Sequence, residues 1–191
     1  MPNTCDPRVK KAIDLAVFWH DLTARKGVNG GTSIPYIVHP IRVMELVWKW
    51  GAGTIDNMCA AICHDLKEDT TITEEILRNS IGNTSTDVVF ELTFTGGDKA
   101  EYMKTFMRSS LEALIIKLAD RICNVLDFAL TDINYAGVYF SKAEVLFVAF
   151  YNRYDEISFK YGSEVSQKIE ASIGAVRKML FRSPINPVFS V

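Results

Sequence analysis

The chain has 191 residues, one domain's worth and enough to bury a single substantial core. Its 48% hydrophobic and 23% charged residues are those of an ordinary globular chain, and a formal net charge of −2 leaves no global basic field, which excludes a nucleic-acid polymer as an expected partner. The stretch from Met1 to Pro7 lacks the apolar core of a signal peptide, and no run approaches the ~18 apolar residues of a membrane span. A cytoplasmic protein with no membrane partner is therefore expected.

In chain order, helical signals dominate. Asp6 can cap a first helix with Pro7 in its first turn, and Val9, Ala12, Ile13, Ala16 and Val17 recur at helical spacing, so the helix is expected to run to about Lys26. The glycine-rich stretch Gly27–Ser33 follows as a loop. Pro35 to Pro40 reads as a short extended segment, and Pro40 is expected to open a second helix that ends at Gly51. A third helix from about Thr54 should deliver His64 and Asp65 at its end. Thr71-Ile72-Thr73-Glu74 fits a capping box for a fourth, closed by Gly82, with shorter helices expected at 86–93 and 99–108.

The strongest pattern follows. Leu111, Leu114, Ile115, Leu118, Ile122 and Val125 form one apolar stripe over 111–128, while Lys117, Asp120 and Asn124 share another face. Two further helices, 141–160 and 163–180, complete an all-α, single-domain helical bundle spanning 1–182, and residues 183–191 form a C-terminal tail. No sheet is expected. Cys5, Cys59, Cys63 and Cys123 lack the paired spacing of a zinc or redox centre, and Cys59 and Cys63 read as small buried helix residues.

Chemistry concentrates at four residues in fixed order: His39, the adjacent pair His64 and Asp65, and Asp120. Two imidazoles and two carboxylates offer a nitrogen and oxygen shell for one divalent cation, with positions left for the water that a hydrolysis needs. Neighbouring helical residues point about 100° apart, so His64 and Asp65 reach one ion more easily at a helix end than in a helix middle. In His64-Asp65-Leu66-Lys67-Glu68-Asp69, helical geometry would place Glu68 and Asp69 one turn beyond the two ligands, where they could handle the proton of a water. HDLKED could instead be a solvated charged face, but the apolar run from Met58 to Cys63 makes the histidine emerge from a buried segment.

The order H…HD…D resembles HD-type phosphohydrolases. More narrowly, Arg25-Lys26, the run Pro35-Tyr36-Ile37-Val38-His39-Pro40, His64-Asp65-x-x-Glu68-Asp69-Thr70 and Lys117-Leu118-Ala119-Asp120-Arg121-x-x-Asn124 are similar to the hydrolase domain of the RelA/SpoT alarmone enzymes, nearest to the small stand-alone alarmone hydrolases. The resemblance runs from about residue 10 to about residue 150. It implies an all-helical enzyme that uses one Mn²⁺ to remove the 3′-pyrophosphate of guanosine tetra- or pentaphosphate (ppGpp or pppGpp). By position it implies His39, His64, Asp65 and Asp120 as metal ligands and Glu68 with Asp69 as the water-activating pair. It further implies Arg25, Lys26 and Lys99 beside the phosphates, and Asn124 and Tyr139 against the nucleotide.

Each of those residues has a plainer reading. Arg25 and Lys26 could favour a helix C-terminus, Lys99 could be solvated, Tyr139 could be core packing, and His20 reads as a hydrogen-bonded structural residue. The Gly27–Ser33 loop is longer than in the relatives, and the chain has no room for synthetase or regulatory domains, so hydrolysis alone is expected. Two alternatives stand beside this: a phosphohydrolase of another nucleotide, such as a deoxynucleotide or NADPH, and a helical module that senses an alarmone or pairs with a toxin without catalysis. The oligomeric state is left open, a homo-oligomer included.

Overall fold

The first helix, α1 (Pro7–His20), begins where Asp6 accepts a hydrogen bond from the Arg8 amide at 2.9 Å and Pro7 occupies the first turn, where an absent N–H costs nothing. The computed structural model describes residues 6–21, 24–25 and 34–182 of the chain, and all observations below concern those residues. The Gly27–Ser33 stretch, Lys26, Cys5 and residues 183–191 lie outside them.

Instead of continuing to Lys26, α1 ends at His20, and Ala24–Arg25 forms a short strand, β1, antiparallel to β2 (Ile34–Pro35) with Ala24 opposite Pro35 and Arg25 opposite Ile34. Two-residue strands carry no readable alternation, so the ladder escaped a periodicity reading. Helix α2 (Val38–Trp50) starts two residues before Pro40, which sits in the first turn, where its missing donor is tolerated. It stops at Gly51, whose φ of 98° lets the chain turn left-handed while its amide closes on the Trp48 and Val47 carbonyls.

Helix α3 (Ile55–Cys63) is capped by Thr54, whose side chain accepts from the Asn57 amide at 3.1 Å. From Asn57 to Cys63 every residue is buried. The small side chains of Cys59, Ala60, Ala61 and Cys63 let α1 and α2 pack closely on it, so α3 forms the centre of the bundle. The one-turn helix α4 (Leu66–Asp69) follows directly. Then come α5 (Glu74–Ile81), capped by Thr73 rather than Thr71, α6 (Asn83–Leu92) and α7 (Lys99–Thr105).

Helix α8 (Leu111–Ala129) matches its apolar stripe and packs against α2. Its polar strip also turns inward, so Lys117 and Asp120 are buried beside the core. The single helix expected over 141–160 is two, α10 (Glu144–Asn152) and α11 (Tyr154–Tyr161); before them stands α9 (Ile133–Ser141), which was not expected, and after them α12 (Ser163–Arg182). Gly137, aromatic and β-branched residues give 133–141 a low intrinsic helix propensity, and packing on α8 overrides it. No helix among the described residues is long and apolar enough to cross a membrane.

Candidate metal centre

Three elements bring four polar side chains to one point. His39 is in the first turn of α2, not in an extended segment. His64 is the C-cap of α3 and Asp65 the residue that opens α4. The junction between α3 and α4 places the pair at a helix end, where both side chains can turn to one side. Asp120 comes from the middle of α8.

His39 Nε2 lies 3.1 Å from Asp120 Oδ1 and 3.8 Å from Asp65 Oδ2. His64 Nε2 lies 3.1 Å from Asp65 Oδ2 and 3.7 Å from Asp120 Oδ1. His39, His64 and Asp120 can each offer one ligand atom within 4.8 Å of the others. Their side chains are 2%, 1% and 6% exposed against 18% for Asp65, so the cluster opens to solvent on the Asp65 side.

The donor set fits a divalent cation for a specific reason. His64 Nδ1 is 2.8 Å from the Ala61 carbonyl, which can only accept, so the ring donates there and Nε2 keeps its lone pair. That buried Nε2 makes no hydrogen bond, yet it faces two carboxylate oxygens. A lone pair aimed at two anions is repulsive unless a cation or a proton lies between them. Burial alone would lower the His64 pKa, but the charge of Asp65 and the hydrogen-bonding reach of Asp120 and Asp65 outweigh it and push it to about 10. Burial works against both carboxylates, but Lys117 and the histidines hold Asp120 far below the ordinary carboxylate range, and His64 does the same for Asp65.

A further set of side chains holds these four. The Tyr36 hydroxyl donates to Asp65 Oδ2 at 2.5 Å, Asn124 Nδ2 donates to Asp120 Oδ1 at 2.5 Å, and the Lys117 ammonium lies 3.1 Å from Asp120 Oδ2. The sequence assigned Tyr36 no role of its own, although it precedes His39 by three residues, and placed Lys117 on the polar strip with Asp120 without assigning it to that carboxylate. His20 is buried against the Tyr36 ring, centroids 4.4 Å apart, and neither of its ring nitrogens has a hydrogen-bond partner. It is thus not the hydrogen-bonded residue expected, and burial keeps its pKa lowered.

The carboxylates expected to handle protons lie on α4, the turn of helix that follows Asp65. Glu68 is exposed and accepts from the Phe94 amide at 3.1 Å. Asp69 is exposed as a residue, but partial withdrawal of its carboxyl from water and the nearby charge of Asp65 raise its pKa, with Tyr36 and His64 opposing. Lys99, the first residue of α7, is exposed with Nζ 5.6 Å from the centre of the Phe94 ring, so it borders the segment that holds Glu68. Tyr139 on α9 is half-buried with the Arg121 guanidinium 4.1 Å above its ring; burial raises its pKa, and Arg121, Asp120 and Lys117 all act on it. Asn124 reaches the cluster through Asp120. Arg25 lies in β1, but its side chain and the whole of Lys26 lie outside the described residues.

No family model matches the chain. It is 28% identical over 134 residues to a probable guanosine-3′,5′-bis(diphosphate) 3′-pyrophosphohydrolase of Mycoplasma pneumoniae, a match covering 61% of this chain and 18% of the relative. It is 33% identical over 126 residues to a probable GTP pyrophosphokinase of Mycobacterium leprae, covering 61% of this chain and 15% of the relative. The chain thus spans less than a fifth of the length of these curated relatives. A solved structure described as a metazoan ortholog of SpoT that hydrolyzes ppGpp superposes with a TM-score of 0.68 at 23% identity, covering 88% of this chain and 94% of that one. In sequence over three-fifths of its length the chain is similar to enzymes named for guanosine bis(diphosphate) hydrolysis and for GTP pyrophosphokinase activity, and in fold over most of its length to the metazoan SpoT ortholog.

Proposed function

We propose that the chain removes the 3′-pyrophosphate of guanosine tetra- or pentaphosphate, with one Mn²⁺ held by His39, His64, Asp65 and Asp120. The observation that supports this most is the buried convergence of two imidazoles and two carboxylates around the unpartnered Nε2 of His64. The names of the relatives point to the alarmone, and since they include both a hydrolase and a pyrophosphokinase, the cluster is what favours hydrolysis.

A divalent ion held there supplies Lewis acidity, drawing the pKa of a water towards neutrality and offsetting charge at phosphorus. The chain's own groups do the rest. Asp69, with a raised pKa, takes the proton from the attacking water, and Glu68 stands beside it as the second carboxylate. Water adds to the phosphorus joined to O3′, the P–O3′ bond breaks, pyrophosphate departs with the new oxygen, and O3′ takes up a proton. Arg25, Lys26 and Lys99 would meet the phosphates, Tyr139 would meet the nucleotide, and Asn124 would serve both the nucleotide and Asp120.

Purified protein with Mn²⁺ is expected to convert guanosine tetraphosphate to GDP and pyrophosphate, and Asp65→Ala or Asp120→Ala to lower turnover by at least about a thousandfold. Deoxynucleotides and NADPH assayed in parallel should be poorer substrates. Equal turnover of those compounds, or full activity in either variant, would overturn the assignment.

A further inference from the structure

The buried ammonium of Lys117 is out of place in a cation site. Its Nζ lies 3.1 Å from Asp120 Oδ2, while Oδ1 of that carboxylate faces His39 and accepts from Asn124. Both Lys117 and Asp120 are almost sealed from water, at 9% and 4% exposure, so the charge is weakly screened by salt. The Tyr102 ring, 5.6 Å from Nζ, forms part of its lining. Lysine is rarely buried unless paired, and here it is paired with a group that a bound cation would itself neutralise.

Charge counting shows what that excess does. With a divalent ion in place, two neutral imidazoles, two carboxylates, Lys117 and the ion sum to +1. Without the lysine the loaded ligand set would be neutral. An ammonium this close repels the ion, so it costs metal affinity; it also leaves the loaded centre cationic towards a polyanion.

Building on the metal-centre reading above, we infer that Lys117 is a resident counter-cation that trades metal affinity for anion affinity. It touches neither the ion nor the substrate and acts through Asp120 and through the field. The arrangement calls for opposite changes in two affinities, whereas a merely structural lysine would weaken both when removed.

The test uses the full chain and calorimetric titration at fixed pH and ionic strength, first with Mn²⁺ alone and then with inorganic phosphate added to Mn²⁺-saturated protein. Lys117→Met removes charge and hydrogen bond together; Lys117→Gln removes the charge and keeps a donor; Lys117→Arg keeps the charge. Met and Gln variants are expected to bind Mn²⁺ at least ten-fold more tightly and phosphate at least ten-fold more weakly, and the Arg variant to stay near the unaltered protein in both. If one neutral variant fails to melt cooperatively without metal, the other carries the comparison. Unchanged or weaker Mn²⁺ binding, or unchanged phosphate binding, in a folded neutral variant overturns the inference while leaving the metal centre standing. Failure of the unaltered protein to bind any Mn²⁺ overturns both.

Discussion

At the scale of single residues, the hydroxyl of Tyr36 and the carboxyl of Asp69 offer separate tests of how a proposed ligand is held and how a proton is moved. Tyr36 donates to Asp65 Oδ2, the oxygen that also faces both histidines. Tyr36→Phe keeps the ring that packs on His20 and removes only this donor, so Mn²⁺ affinity should fall by about ten-fold or more, read by calorimetry. Asp69→Asn should leave Mn²⁺ affinity near that of the unaltered protein while lowering kcat by roughly 10²–10⁴ with little change in KM. Because the folded pKa of Asp69 is raised, the group loses its basic form as pH falls through a value above that of an ordinary aspartate. The acid limb of the rate profile should therefore lie above the ordinary aspartate value and be lost in the Asn variant.

Among the helices, α3 matters most because it is a buried rod that ends on His64. Its N-cap is the Thr54 hydroxyl, far along the chain from the cluster. Thr54→Ala should cost about 1 kcal/mol of stability, measured by denaturant unfolding, with Mn²⁺ binding of the folded protein unchanged. The elements that sequence periodicity found readily were those with a long one-sided stripe, α8 above all. Those it misread had local chemistry that lost to packing: α9, with a glycine and bulky residues, is a helix against α8, and the residues after His20 leave the helix for a two-residue ladder. Thr71 had capping potential, but Thr73 is the residue whose hydroxyl meets an unpaired amide.

For the whole molecule, the proposed metal ion and a proton would compete for one place. Without an ion, His64 is held protonated between its carboxylates with a pKa near 10, against an ordinary 6.5. A raised histidine pKa contributes stability that is complete below about 6.5 and is lost as pH rises through about 10. Metal-free protein should therefore lose thermal stability across that interval. Mn²⁺ at 100 times its dissociation constant should add about 2.7 kcal/mol, and chelation should remove it. Thermal melts in chelator and in Mn²⁺, taken from pH 6 to 10, test both, and a flat metal-free profile would contradict the assigned protonation of His64.

The sequence by itself determined the helical class and the candidate donors His39, His64, Asp65 and Asp120, because residue identity and spacing set which groups can ligate and which faces can be buried. Tertiary structure alone decided that these four meet, that Tyr36, Lys117 and Asn124 hold them, and that His20 lies unpartnered behind Tyr36. The physical reason is range. Helical periodicity and capping act over a few residues and leave their record in local order, whereas the 81-residue separation between His39 and Asp120 closes only when α2, α3 and α8 pack.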